Sequence, residues 1–159
     1  MPLTEPIKLT ALEMALTEFV GRQRVRDGLR ANADKAKYGF DGDPLQIAIL
    51  GCRGECVVAK ALNVYWTGAG VDYAHEEDVG RLQVRTTEHP HGSLLVRPNE
   101  EHFDDPWLLV IGKGDTYQLA GWLYGHECRR EEWLRAAAGR PPAYFVPQRA
   151  LRPLKRVGV

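Results

Sequence analysis

The chain has 159 residues, enough for one domain that buries a core without disulfides or metal staples. Its 21 Lys and Arg balance 21 Asp and Glu, so net charge favours neither a polyanionic nor a polycationic partner, and no apolar run approaches the ~20 residues of a membrane span. Cys52, Cys56 and Cys128 form no framework of the secreted kind, and the N-terminus has neither a basic start nor an apolar stretch, so a reduced, cytoplasmic setting is expected.

In chain order, Thr10-Ala11-Leu12-Glu13 reads as a capping box that opens a helix running to near Ala33. Leu12, Ala15, Leu16, Phe19 and Val20 make its apolar stripe, and Arg22, Arg24, Arg26 and Arg30 its solvated basic half. Asp43 before Pro44 starts a second helix over about Pro44 to Leu62, because Pro at the first position gives up no needed N–H. Its core residues are Leu45, Ala48, Ile49, Cys52, Cys56, Ala59 and Leu62. Gly51 and Gly54 sit mid-helix at ~1 kcal/mol each relative to Ala, which suggests close approach of another backbone or of nucleic acid.

After Asn63 the pattern turns strand-rich, opening at Val64-Tyr65-Trp66 with a turn at Gly68-Ala69-Gly70. Strands are predicted over Leu82 to Thr86, Ser93 to Arg97, Trp107 to Ile111 and Tyr117 to Leu123. Their spacing is too short for helical crossovers, so most pairs should be antiparallel. Glu127 to Ala138 reads as an amphipathic helix with Trp133 and Leu134 inward, and Ala143 to Val146 as a final strand. The expected fold is α/β (α+β), a mixed four- to five-stranded sheet flanked by helices.

Charge is unevenly placed. Four acids lie between Asp72 and Asp78, Glu100, Glu101, Asp104 and Asp105 form a second acidic knot, and Arg129 to Arg156 holds eight Lys and Arg against two acids. An acidic centre with basic flanks suits a metal-dependent enzyme on a polyanion, although charges on loops and helix faces also occur simply solvated. In the run Asp78-Val79-Gly80-Arg81-Leu82-Gln83-Val84-Arg85, strand alternation puts Gln83 and Arg85 on one face and Leu82 and Val84 in the core. Oxygen donors that converge on one edge can hold a divalent cation, and a nearby cationic side chain can offset charge on a phosphate.

These residues, with Glu55 ahead of them, resemble the PD-(D/E)XK nuclease superfamily, in which a helix-borne Glu, an Asp and a Glu/Gln-x-Lys strand pair form the site. The segment from Gly51 to Leu62 is similar to the G-x-x-G-E-x-x-x-A-x-x-L helix of several of its branches. Trp107 to Val110 followed by Tyr117 to Leu123 resembles small nuclease-like proteins of phages and mobile elements. The resemblance implies a restriction-endonuclease-like core over 44–147, an N-terminal helical extension over 1–43 and a basic tail over 148–159. It implies Mg²⁺ or Mn²⁺ held by Asp78, Gln83 and Glu55, Arg85 in the place usually held by Lys, and DNA as substrate. Arg stays charged and is a poor proton-transfer group, but it clamps phosphate bidentately. The alternative is a catalytically degenerate module that binds nucleic acid or a protein partner. Oligomeric state is left open, a homodimer included.

Other chemistries are weaker. Cys52 and Cys56 at i and i+4 lie on an apolar helical face where Cys packs as a small hydrophobe, which is favoured over a zinc site completed by His75, His89, His91, His102 or His126. His89-Pro90-His91-Gly92 is a turn beside the candidate strand where either His could contact substrate or act as a base, although a turn histidine with no such role is more common. No G-x-S-x-G elbow, no G-x-x-x-x-G-K-S/T loop and no strand-coupled G-x-G-x-x-G is present.

Overall fold

A computed structural model describes residues 4–31, 42–68 and 78–156. The elements are β1 (Ile7–Lys8), α1 (Ala11–Ala31), α2 (Pro44–Leu62), β2 (Gln83–Thr87), β3 (Leu94–Val96), β4 (Pro106–Lys113), β5 (Thr116–Tyr124), β6 (Leu134–Ala137) and β7 (Arg140–Val146). The fold is mixed α+β, as expected, but its strands divide into two sheets. A four-stranded sheet has the order β1-β5-β4-β2 and a three-stranded sheet the order β3-β7-β6. Every pair is antiparallel except β2 with β4, whose crossover is built from β3 and its flanking turns instead of a helix.

The four-stranded sheet is the middle layer. On one face Leu82, Val84, Leu108, Val110 and Trp122 pack with Cys56, Val57 and Val58 of α2. On the other, Trp107, Leu109, Ile111 and Leu123 pack with Leu94, Val96 and Val146 of the small sheet. Among the described residues, helices therefore flank one face only, and the second sheet covers the other.

α2 forms where the sequence places it. Asp43 accepts from the Leu45 N–H at 3.0 Å, Pro44 occupies the first turn, and Asn63 ends the helix in the left-handed region at φ 55°. The capping box also holds: the Thr10 N–H donates to Glu13 Oε2 at 2.7 Å and the Glu13 N–H to Thr10 Oγ1 at 3.1 Å. The rotation of α1 differs from the expectation. Leu12 is 80% exposed and Phe19 60%, whereas Thr17 and Gly21 are buried against α2. A Cβ on Gly21 would come within 2.7 Å of Ile49 Cγ1, so this glycine sets how closely the helices pack.

Two further expectations are corrected. Residues 64–68 form no strand, and Tyr65 is 86% exposed. No helix spans 127–138: Glu127 is drawn to Arg152 through two 2.5 Å contacts, Cys128 is buried, only Glu131–Trp133 makes a 3₁₀ turn, and Leu134 starts β6 with its side chain exposed. The end segments are also built into the body. β1 pairs with β5 at the sheet edge, and Arg152 bridges Trp122 with Leu151 buried beside it. The breaker at 39–41, the turn at 69–70, Tyr73, His75 and the acids from Asp72 to Glu77 lie outside the described residues. Among the described residues, no helix is long and apolar enough to cross a membrane.

Candidate functional site

A cleft of about 500 Å³ opens between the first half of α2 and β2, continuing to His89. Gly54 lets the two elements meet: a Cβ there would lie 1.7 Å from Thr86 Oγ1. Gly51 has the opposite surroundings. It lines the cleft, and a Cβ would find nothing within 4 Å.

Glu55 follows from that packing. It lies on a stretch of α2 covered by both α1 and the sheet, and is 5% exposed. An isolated carboxylate would not survive such burial, and it has three donors. Arg24 of α1 reaches it fork to fork, Nη1 to Oε1 at 2.7 Å and Nη2 to Oε2 at 2.8 Å. The Trp66 indole N–H donates to Oε2 at 2.9 Å. Burial alone would lower the Arg24 pKa, but the hydrogen bonds and charge of Glu55 outweigh it and drive the value up.

Asp78 stands at the turn before β2. Its backbone N–H donates to the Leu82 carbonyl at 2.9 Å, Gly80 takes φ 56° between them, and its Oδ2 accepts from the Val84 N–H at 2.7 Å. β2 is an edge strand, so Asp78 covers one of its outward N–H groups. Burial, followed by the charge of Glu55 across the cleft, raises its carboxyl to about 6, against the lowering pull of the Val84 N–H, Arg85 and Arg24.

Arg85 closes the same edge. Its guanidinium lies over the Trp107 ring at 4.7 Å, donates to the Val84 carbonyl at 3.1 Å, comes within 3.9 Å of Asp78 Oδ2 and bonds Glu100 Oε1. The other oxygen of Glu100 accepts from the Arg97 N–H at 2.7 Å. Gln83 shares the pleat of Arg85, as expected, but it is 5% exposed, does not line the cleft, and its Nε2 has no hydrogen-bond partner among the described residues.

Glu55, Asp78 and Arg85 thus meet in one cleft, joined by His89, and Gln83 stays apart. Arg24, Trp66 and Glu100 complete the constellation without having been singled out from the sequence. The only sequence signals were an arginine in a basic helix half and an acid in a charged knot. Among the described residues, no group of three or more His, Cys, Asp or Glu side chains is arranged to hold a metal ion. The oxygen donors of Glu55 and Asp78 suit a hard divalent cation, and their mutual repulsion is what such a cation would relieve, whereas Gln83 lies on the wrong face to add a third. The cysteines are core thiols: burial pushes Cys52 to about 12, Cys56 to about 11 and Cys128 to about 12. A second depression of about 600 Å³, beside Lys8, Thr10 and Asp115, carries an exposed 3.6 Å ion pair and is remote from these groups.

No family model matches the chain, and no curated protein or solved structure shows significant similarity to it.

Proposed function

We propose that the cleft is the site of a divalent-metal-dependent nuclease that hydrolyses DNA phosphodiester bonds. The observation that carries this reading is the meeting of Glu55, Asp78 and Arg85. They come from a helix, a turn and a strand, and share one cleft in which Asp78 is pushed up by burial and by Glu55.

Asp78 and Glu55 are the residues that would hold Mg²⁺ or Mn²⁺. The ion would supply a lowered water pKa and a positive charge against the scissile oxygens. Arg24 and Trp66 hold and orient the Glu55 carboxylate through three hydrogen bonds. Arg85, a permanent cation fixed on Trp107, offers charge to the phosphate and cannot act as a base. Gln83 has no ligand role in this scheme.

The second reading is a degenerate module that binds nucleic acid or a protein partner. Two facts favour it: both Glu55 oxygens already accept hydrogen bonds, and Arg85 is shared between Asp78 and Glu100. Incubation of the full chain with supercoiled, linear and single-stranded DNA in Mg²⁺ or Mn²⁺ separates the two. The nuclease reading expects cleavage that is abolished by Asp78→Ala and by EDTA. Intact DNA under every condition, with folded protein, overturns it in favour of the module.

A further inference from the structure

The two glycines inside α2 differ in what explains them. Gly54 is required by the chain itself, since Thr86 stands where its Cβ would be. Gly51 is not: among the described residues nothing lies within 4 Å of the place its Cβ would take, and a glycine in a helix interior weakens the helix relative to Ala. The clearance that it leaves opens into the cleft.

Ile47, Gly51 and Glu55 follow one another at intervals of four residues, so they form a row about 6 Å apart on the face of α2 that lines the cleft. From the Glu55 carboxylate the row leads onto uncharged surface. Leu50 is half-buried beside Gly51, and Ile47 is 47% exposed. The lining also takes in Gln46 and, at the end of β2, Thr87, Glu88 and His89.

Charge is placed unevenly around this space. Arg85 is the one Lys or Arg among the described lining residues, and it lies 3.9 Å from Asp78 Oδ2. A phosphate is therefore held at the Glu55, Asp78 and Arg85 group, and the rest of the lining, with the Glu88 carboxylate in it, does not suit a second one. What suits it is an uncharged group joined to that phosphate, namely the sugar and base of a nucleotide. A base packs its faces on apolar side chains such as Ile47 and Leu50 or on a ring such as His89, and its edge hydrogen-bonds to groups such as Gln46 and Glu88.

We infer that the part of the cleft around Gly51 is a subsite for the nucleoside next to the scissile phosphate, and that the cleft takes single-stranded DNA. A volume of about 500 Å³ is that of a site for one small molecule. A base in a duplex is paired and stacked and has to leave the stack to enter such a space, whereas a base in a single strand is already unpaired. Gly51 keeps the floor of the subsite open, and a side chain there would take the room of the base. The inference rests on the nuclease reading of the cleft and adds the form of DNA that it accepts.

The test is fluorescence anisotropy with the full chain in Ca²⁺, a hard cation that shares the oxygen preference of Mg²⁺, on labelled probes of about 20 nucleotides. The probes are a single strand, the blunt duplex of the same sequence, and a single strand whose sugars carry no bases. The parent is expected to bind the single strand about 10- to 100-fold more tightly than either of the others. Gly51→Leu is expected to weaken binding of the single strand about 10-fold, to leave binding of the baseless strand unchanged, and to unfold at the parental temperature or above. Gly51→Ala, which fills less of the space, should fall between Gly51→Leu and the parent. A folded Gly51→Leu that binds the single strand like the parent overturns the subsite, and so does a parent that holds the duplex or the baseless strand equally well. In either case the nuclease reading stands if cutting in Mg²⁺ is still lost in Asp78→Ala. A parent that neither binds nor cuts any DNA overturns both. If Gly51→Leu unfolds at a lower temperature, Gly51→Ala decides, and parental affinity for the single strand overturns the subsite.

Discussion

The two long helices bury opposite kinds of residue. α2 turns Ile49, Cys52, Cys56, Val57 and Val58 inward and lies against the sheet like an ordinary amphipathic helix. α1 lies on α2 through Met14, Thr17, Gly21 and Arg24, while Leu12, Leu16 and Phe19 face solvent. The difference shows what sets a helix's rotation when its neighbour carries a buried charge. Placing the apolar stripe of α1 inward would swing Arg24 away from Glu55. An unpaired buried carboxylate costs more than the exposure of three apolar side chains, which is ordinary for a protein surface.

The largest effect expected from this contrast comes from Arg24→Ala. It removes both guanidinium bonds from a carboxylate that is 5% exposed and keeps only the Trp66 contact. A destabilisation of about 3–5 kcal/mol is expected in urea unfolding. The double substitution Arg24→Met with Glu55→Met should recover most of it, because apolar replacement of a buried pair is often neutral. If Arg24→Ala unfolds at the parental midpoint, the ion pair does not fix α1.

The glycines of α2 give the next effect, with opposite signs three residues apart. Gly54→Ala drives a methyl into Thr86 and should destabilise by about 1–3 kcal/mol, with separation of α2 from β2. Gly51→Ala meets open space at the cleft and should stabilise by up to about 1 kcal/mol through helix propensity. Equal effects would mean that α2 does not sit this close to Thr86.

A smaller change, confined to one pH window, tests how Arg24 and Glu55 bear on the cleft. Asp78 has a folded pKa of about 6 against an ordinary 3.8, so the folded chain binds more protons between those values. This group's contribution therefore falls as pH rises through the window and is lowest above it. Asp78→Asn should lack that fall, stand more favourably against the parent at pH 7 than near pH 4, and keep the bond from the Val84 N–H. Thermal unfolding across pH reads the difference, and parallel profiles for the two proteins would refute the raised carboxyl.

Local chemistry made α2 and most strands legible. Asp43, Pro44 and Asn63 fix the ends of α2 by their own capping and φ preferences, and alternation along 82–87 put Val84 and Arg85 on opposite faces. Glu55, Asp78 and Arg85, which line one cleft, were singled out in the sequence as candidates by their order, a helix acid ahead of a turn acid and a strand cation. What escaped depends on distant partners. Glu127 to Ala138 has a helical pattern, but Arg152 claims Glu127 and β7 claims Leu134 and Arg135. The split into two sheets depends on β3 leaving β2 for β7, which no alternation within β3 encodes. Arg24 could not be told from its solvated neighbours Arg22 and Arg26, since only the height of Gly21 on Ile49 aims it at Glu55.

The smallest effect is the sharpest test of α1. Were Leu12, Leu16 and Phe19 a core stripe, Leu16→Ala would cost about 2–5 kcal/mol through lost burial and a cavity, and Phe19→Ala about 3–5. With Leu16 47% exposed and Phe19 60%, each truncation removes atoms that already meet water, and alanine's helix propensity partly offsets the remaining contacts. Each substitution is therefore expected to stay within about 0.5 kcal/mol of the parent, while Thr17→Leu, at a site with no exposure and a hydroxyl bonded to the Met14 carbonyl, should destabilise by about 1–3 kcal/mol through overpacking. The reverse ranking in urea midpoints would turn α1 over, take Arg24 away from Glu55 and leave that carboxylate without the partner that makes its burial tolerable.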